Sequence, residues 1–330
     1  NSLEPLFIIN SSNITIDGSN SVEGNTKDLT ITNAGTGSNS GIIYSANSGS
    51  NISFKNINVI GGLTSAGYGI SLDGVSDIEV SNCKIYKTLV GIQAKGNASE
   101  ITIVNNELGS LVSGEKIHTS GIDISNSNNF NVSYNTIIGV SSSSSATSSG
   151  IVVSGASEQG DIWNNIIRNI KNTRALSTGS NGIWLNTTNT NAQVNVFNNV
   201  ISDIASVGIE DWAANRNGYG IVISNGGGYN IFFNSIFLNT DQSGASGGNT
   251  AGINVTSGVT TSNSLDIRNN IIVSSQTKGT RYAVYSAASK TVFKNIDFNN
   301  YYAVSGVGFI GGIVRTTLAN WQTGTGKDAN

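Results

Sequence analysis

The chain of 330 residues predicts an all-β solenoid, a single-stranded right-handed parallel β-helix of about ten irregular coils, on three observations. Short Ile/Val/Phe-rich runs recur from Leu6 to Val314, each bounded by Asn, Gly or Ser, the pattern of many short strands joined by turns. Two strand signatures alternate along the chain at a nearly regular interval, which is the mark of a repeat fold. Helical patterning is almost absent, since no long window keeps an i, i+3, i+4 apolar spacing free of Gly and β-branched residues; one helical turn is expected near Thr317 to Trp321.

The composition agrees with a stacked fold rather than a disordered polar tract. Asn, Ser and Thr number 47, 47 and 28, more than a third of the chain, yet apolar residues still make up 37%. Gly reaches 40 while Pro5 is the single proline, and charged residues are only 11%. A net charge of -3 and a pI near 5.2, with no Lys/Arg cluster, lack the basic footprint of a nucleic-acid binder. No apolar run approaches the roughly 20 residues needed to cross a bilayer, and no signal peptide is visible, so membrane insertion is not expected and the chain reads as a mature or excised segment. Cys83 is alone, so packing and hydrogen bonds hold the fold without a disulfide.

The first signature is Gly-Ile, then a variable residue, then an apolar one. It occurs at Gly69, Gly91, Gly121, Gly150, Gly182, Gly220 and Gly252, with Gly41-Ile42 as an early example. The second is an apolar strand that runs into Asn and then an aliphatic pair, ending at Asn106, Asn135, Asn165, Asn199, Asn234 and Asn270. These six positions are 29, 30, 34, 35 and 36 residues apart, so the strands set the register and loops such as Ser141 to Ser149 and Asp241 to Asn249 absorb the variation. In a parallel β-helix each strand pairs with its equivalent one coil away at about 4.8 Å, so equal positions stack into files and ten coils make a rod of roughly 50 Å. The six Asn then form a ladder in which each amide donates to one coil and accepts from the other. Asn also tolerates the left-handed conformation that a sharp corner demands. The ladder is read as structural.

These strands, the Asn-Asn corners, and the opening Asn13-Ile14-Thr15-Ile16-Asp17-Gly18 followed by Asp28-Leu29-Thr30-Ile31 resemble the right-handed β-helix repeats of the pectate-lyase-like superfamily. More narrowly they are similar to Asn/Ser/Thr-rich versions in large secreted surface proteins of Bacteroidetes-type bacteria. The resemblance covers nearly the whole chain and implies the fold. It leaves activity open, since the superfamily includes lyases, hydrolases, epimerases, tailspikes and adhesins. The ends carry a second resemblance: Gly326-Lys327-Asp328-Ala329-Asn330 and Asn1-Ser2-Leu3-Glu4-Pro5-Leu6-Phe7 look like the two halves of a segment that often closes such a helix, with Glu4 in place of Asp. Residues 1–330 are therefore expected to be a single β-helix domain that is one unit of a longer protein or assembly.

Enzymes of this superfamily place acids, and often Arg or Lys, on one outward strand face across adjacent coils. Here the residues after each Gly-Ile are Ile43, Ser71, Gln93, Asp123, Val152, Trp184, Val222 and Asn254, with one carboxylate among them. Four residues before the ladder lie Thr102, Asn131, Asp161, Asn195, Asn230 and Asp266, whose two acids stand three coils apart, about 14 Å. Two residues before the ladder, Trp163, Phe197 and Phe232 fall on consecutive coils and, with Trp184 on the neighbouring strand, form a candidate interaction face. Glu210, Asp211, Trp212 and Arg216 combine acids, an aromatic platform and a cation in a candidate glycan or ion loop; the alternative is a loop whose Trp212 lies on the coil and whose Arg216 pairs with an acid. His118 is the only histidine, and no nucleophile or second acid is identifiable for it.

No catalytic residue, metal site or cofactor is therefore assigned. The leading expectation is a secreted, non-enzymatic structural or adhesive protein of the cell surface, able to associate end to end with itself or to hold another surface protein or glycan. A carbohydrate-active β-helix is the runner-up. Solenoid ends expose unpaired strand edges, and no capping helix precedes the strand at Leu6 to Ile9, so head-to-tail stacking is expected.

Overall fold

A computed structural model of the chain describes residues 5–33, 35, 41–46, 48–62, 67–174 and 178–329. Among the described residues the strands fall into three sheets of twelve, ten and ten members, and each strand pairs with the strand three places further along the chain, apart from the last pair of the first sheet, which are consecutive. The expected two strands per coil are thus three. The one missed is the strand after each ladder Asn, two residues long at Glu107–Leu108 and seven at Ile166–Asn172.

Ten coils, numbered here from the N-terminus, follow each other in parallel register. On the first sheet Ile92, Ile122, Ile151, Ile183, Ile221 and Ile253 lie in one file and are fully buried. Each such side chain contributes about 1.5–3 kcal/mol through removal from water. The Gly before each Ile is required by close approach of the coils: a Cβ on Gly150 would sit 2.5 Å from the Gly182 carbonyl oxygen and 2.4 Å from the Ile167 methyl. The early Gly41-Ile42 example is out of register by one. Ile43, not Ile42, pairs with Ile70, so the outward residue of that coil is Tyr44 rather than Ile43.

The C-terminal end is plugged. The last strand of the first sheet, Ile313–Arg315, runs antiparallel to Gly308–Ile310, and helix α1, Leu318–Thr325, follows it. Thr317 caps the helix by accepting the Asn320 N–H, and Gly326 ends it in the left-handed conformation at φ 69°. Trp321, fully buried, closes the core; its Nε1 donates to Asp328 at 2.9 Å, and Tyr301 Oη donates to the same carboxylate oxygen at 2.5 Å. The first sheet ends on an antiparallel strand, whereas the second and third end on parallel ones. At the other end, Leu6, Phe7 and Ile8 are exposed. Residues 1–4 and 330 of the expected joining segment lie outside the described residues.

Candidate functional site

The files of side chains give the molecule its surfaces, and the Asn ladder sets their spacing. Each ladder Asn donates its backbone N–H and its Nδ2 to the Oδ1 of the Asn one coil on, at 2.9–3.1 Å, from Asn106 through Asn135, Asn165, Asn199 and Asn234 to Asn270. The second Nδ2 hydrogen goes to a carbonyl of the preceding coil, as from Asn135 to Ile103 at 2.8 Å. Asn299, missed from the sequence, continues the series by accepting both donors of Asn270. Its signal was the Ile-Asp-Phe-Asn run that repeats Ile-Phe-Phe-Asn. Cys83 holds the ladder position one coil before Asn106, to which it donates only its backbone N–H.

The corner and the ladder are separate residues, which corrects the sequence reading. The left-handed φ belongs to the residue before each ladder Asn: Asn105, Tyr134, Asn164, Asn198, Phe233 and Asn269 all lie between 53° and 58°.

The outer face of the second sheet carries two neighbouring files. In one, Asn195 donates to Asp161 and Asn230 to Asn195, each at 2.8 Å, while Asn295 donates to Asp266 at 3.1 Å. In the other, Trp163 and Phe197 lie nearly parallel with centroids 5.7 Å apart, and Arg268 stands 5.0 Å from the Phe232 ring. Trp163 Nε1 donates to Asn131 Oδ1 at 2.9 Å, tying the files together. A groove of about 390 Å³ lined by Asn195, Asn230, Asp266 and Lys294 runs along the polar file, and another of about 530 Å³ contains Glu100, Asn131 and Asp161. Further toward the N-terminus Asp77, Glu79 and Glu100 line a third, of about 240 Å³; the sequence reading did not pair these acids because Asp77 and Glu100 belong to the strand-opening file it did not trace.

Trp184 belongs elsewhere. It lies on the outer face of the first sheet, where its Nε1 donates to Ser224 at 2.7 Å, so the four-residue aromatic face expected from the sequence divides between two sheets. The loop with Glu210, Asp211, Trp212 and Arg216 folds over that same face. Trp212 stacks on Tyr285 with centroids 3.8 Å apart and planes within 5°, and on Tyr282 at 5.4 Å. Asp211 Oδ1 accepts the Ala213 N–H at 2.9 Å, and its other oxygen faces Arg216 Nε at 3.9 Å. Tyr219, beneath the loop, has its phenol pushed far above its ordinary range by burial. The loop's ring and one of its acids are thus engaged within the molecule, while Glu210 is exposed.

Two further titratable groups, Asp123 and His118, stand apart from these loops and grooves. Asp123 is raised above the usual carboxylate range by burial, against the opposing hydrogen bond from Gln93 at 3.2 Å. His118 does have a hydroxyl partner, contrary to the sequence reading: Ser142 Oγ lies 3.0 Å from its Nε2. Ser142 is buried, however, and its oxygen also accepts the Ser144 N–H at 2.9 Å, so it braces a turn. Burial holds the imidazole below its ordinary pKa. Among the described residues no group of three or more His, Cys, Asp or Glu is placed to hold a metal ion.

A family model described as "right handed beta helix region" matches residues 40–217, more than half of the chain. The chain belongs to the right-handed β-helix family. This β-helix is similar in fold to the Dettilon tailspike protein, with 14% identity, a TM-score of 0.37, and 84% of this chain and 60% of that one covered. It is also similar to an alginate lyase from Paenibacillus sp. str. FPU-7, with 14% identity, a TM-score of 0.27, and 84% and 92% covered. The β-helix spans less than two thirds of the tailspike's length. No curated protein matches it.

Proposed function

We propose that this β-helix is a non-enzymatic structural or adhesive protein that works outside the cell and holds a glycan along the outer face of its second sheet. The observation that carries the reading is the pair of neighbouring files there. Planar amides and carboxylates, linked coil to coil, offer oriented donors and acceptors to sugar hydroxyls, and Trp163, Phe197 and Phe232 beside them offer apolar surface to the sugar C–H faces. In the polar file the acids are Glu79, Asp161 and Asp266, each three coils from the next, about 14 Å. Hydrolysis of a glycosidic bond by a carboxyl pair needs the two groups about 5–9.5 Å apart. A polar Asn/Ser/Thr surface fits an exposed setting.

Affinity electrophoresis against neutral and acidic polysaccharides tests this. At least one should retard the protein, and Trp163→Ala combined with Asn195→Ala should weaken that retardation at least tenfold. No retardation by any glycan, or retardation that the double variant leaves intact, removes the reading.

One feature favours a second reading, glycan cleavage. Asp77, Glu79 and Glu100 share a groove, which brings carboxylates of adjacent coils together. Product release that Glu79→Gln and Glu100→Gln both abolish would support it.

A further inference from the structure

The third sheet turns apolar side chains to solvent over its C-terminal half. Its first outward file is polar from Thr30 and Asn58 through Lys84, Glu107 and Thr136, then changes to Ile166, Val200, Ser235 and Ile271 before ending at Asn300. The adjacent file carries Phe237, Val273 and Tyr302 on successive coils. Ile166, Val200, Ile271, Phe237 and Tyr302 are each 43–57% exposed. A strand with one solvated face ordinarily places polar residues there, so this is a reversal of the expected alternation.

A second, independent observation lies at the corner that leads into this sheet. Six corners use Asn in the left-handed conformation, at Asn56, Asn82, Asn105, Asn164, Asn198 and Asn269. Tyr134 takes the corner of coil 5 and packs edge-on against Trp163 at 4.7 Å, while two of the last three coils use Phe233 and Phe298, at φ 55° and 57°, with no such ring contact among the described residues. A bulky aromatic there is strained by about 1 kcal/mol or more, and both rings are more than half exposed. Asn would relieve both penalties, so neither ring is explained by the monomer's stability.

We infer that the third-sheet face and the Phe233 and Phe298 corner form an interface for a second copy of this chain, packed side by side. Three arguments select that occupant. From coil 7 to coil 10 the two files carry no charged residue, and the exposed Arg168 stands on coil 6 at the N-terminal edge of the patch, so a copy packed antiparallel about a two-fold axis keeps the two Arg168 at opposite ends. Files spaced at about 4.8 Å match the files of another copy by construction, letting the Val200, Phe237 and Ile271 ridges interdigitate. The patch spans about five coils by one strand and one corner, on the order of 500 Å² per copy, below the roughly 800 Å² of a standard stable interface and so suited to a weak reversible dimer. This inference concerns a different face from the glycan reading and stands without it.

Sedimentation velocity of the purified chain over concentrations from about 1 to 300 µM tests it, with a monomer–dimer equilibrium expected near 10–100 µM. Phe233→Asn, which introduces the residue used at six of the other corners, should leave the melting temperature equal or higher while weakening association at least tenfold; Val200→Lys should abolish it. A single-chain mass at every concentration overturns the inference, including the case where the monomer instead binds apolar vesicles. So does a dimer that both variants leave intact.

Discussion

Asn135 donates its backbone N–H and its side-chain Nδ2 to one atom, the Oδ1 of Asn165, each at 3.0 Å. That doubled contact, repeated coil after coil, fixes how every outward file is spaced, and it makes the ladder sensitive to a single change. Asn165→Ala leaves the two Asn135 donors and the Val132 carbonyl buried without partners. Since each orphaned group is worth about 1–3 kcal/mol, a loss of about 3 kcal/mol is expected in denaturant unfolding, against about 1 kcal/mol for Asn299→Ala at the half-buried end of the ladder.

Cys83→Asn extends the ladder by one rung. The thiol already lies 3.5 Å from the Phe54 carbonyl, on the side where Asn106 Nδ2 finds Val80, so an amide there gains a carbonyl and the Asn106 oxygen. The variant should be as stable as the parent or more so. In the parent, burial pushes the Cys83 thiol up to about 11, so thiol reagents should label it only after unfolding.

Trp212→Ala removes the stack on Tyr285 and Tyr282. The ring is half-buried, and the expected loss is about 2 kcal/mol, with proteolysis appearing between residues 206 and 217. Glu210→Ala, at an exposed position, should change neither.

Asp328 gives the cap a pH dependence. Burial raises its carboxyl from 3.8 to about 6, against the hydrogen bonds from Tyr301 and Trp321. The folded state therefore binds the proton more tightly than the unfolded state. The stability that this proton contributes is complete below about pH 4 and is lost as pH rises through about 6, on the order of 2 kcal/mol. Asp328→Asn accepts the same hydrogen bonds without titrating, so the stability difference between parent and variant should shift against the parent between pH 4 and 7.

The parts of this molecule legible from its sequence are those where one residue type repeats at one position. The six ladder Asn and the rings at 163, 197 and 232 could be aligned by eye because each coil repeats the same few letters around them. The third strand was not legible, since Glu107-Leu108 is too short to show alternation. Nor was the partner of Trp212, because Tyr285 is two coils away and the stack depends on how the intervening loop folds. The exposed third-sheet file was hidden for the opposite reason: Ile166, Val200 and Ile271 read as core residues, and only the pairing register shows that they face outward.

The central claim, a glycan-holding rod without catalysis, is tested most directly by product analysis. A polysaccharide that binds the protein is incubated with it at high concentration, and chain length and new end groups are followed by chromatography and mass spectrometry. The account predicts polymer of unchanged length, held in a complex that Trp163→Ala weakens. Shortened chains, lost on Glu79→Gln, would contradict it.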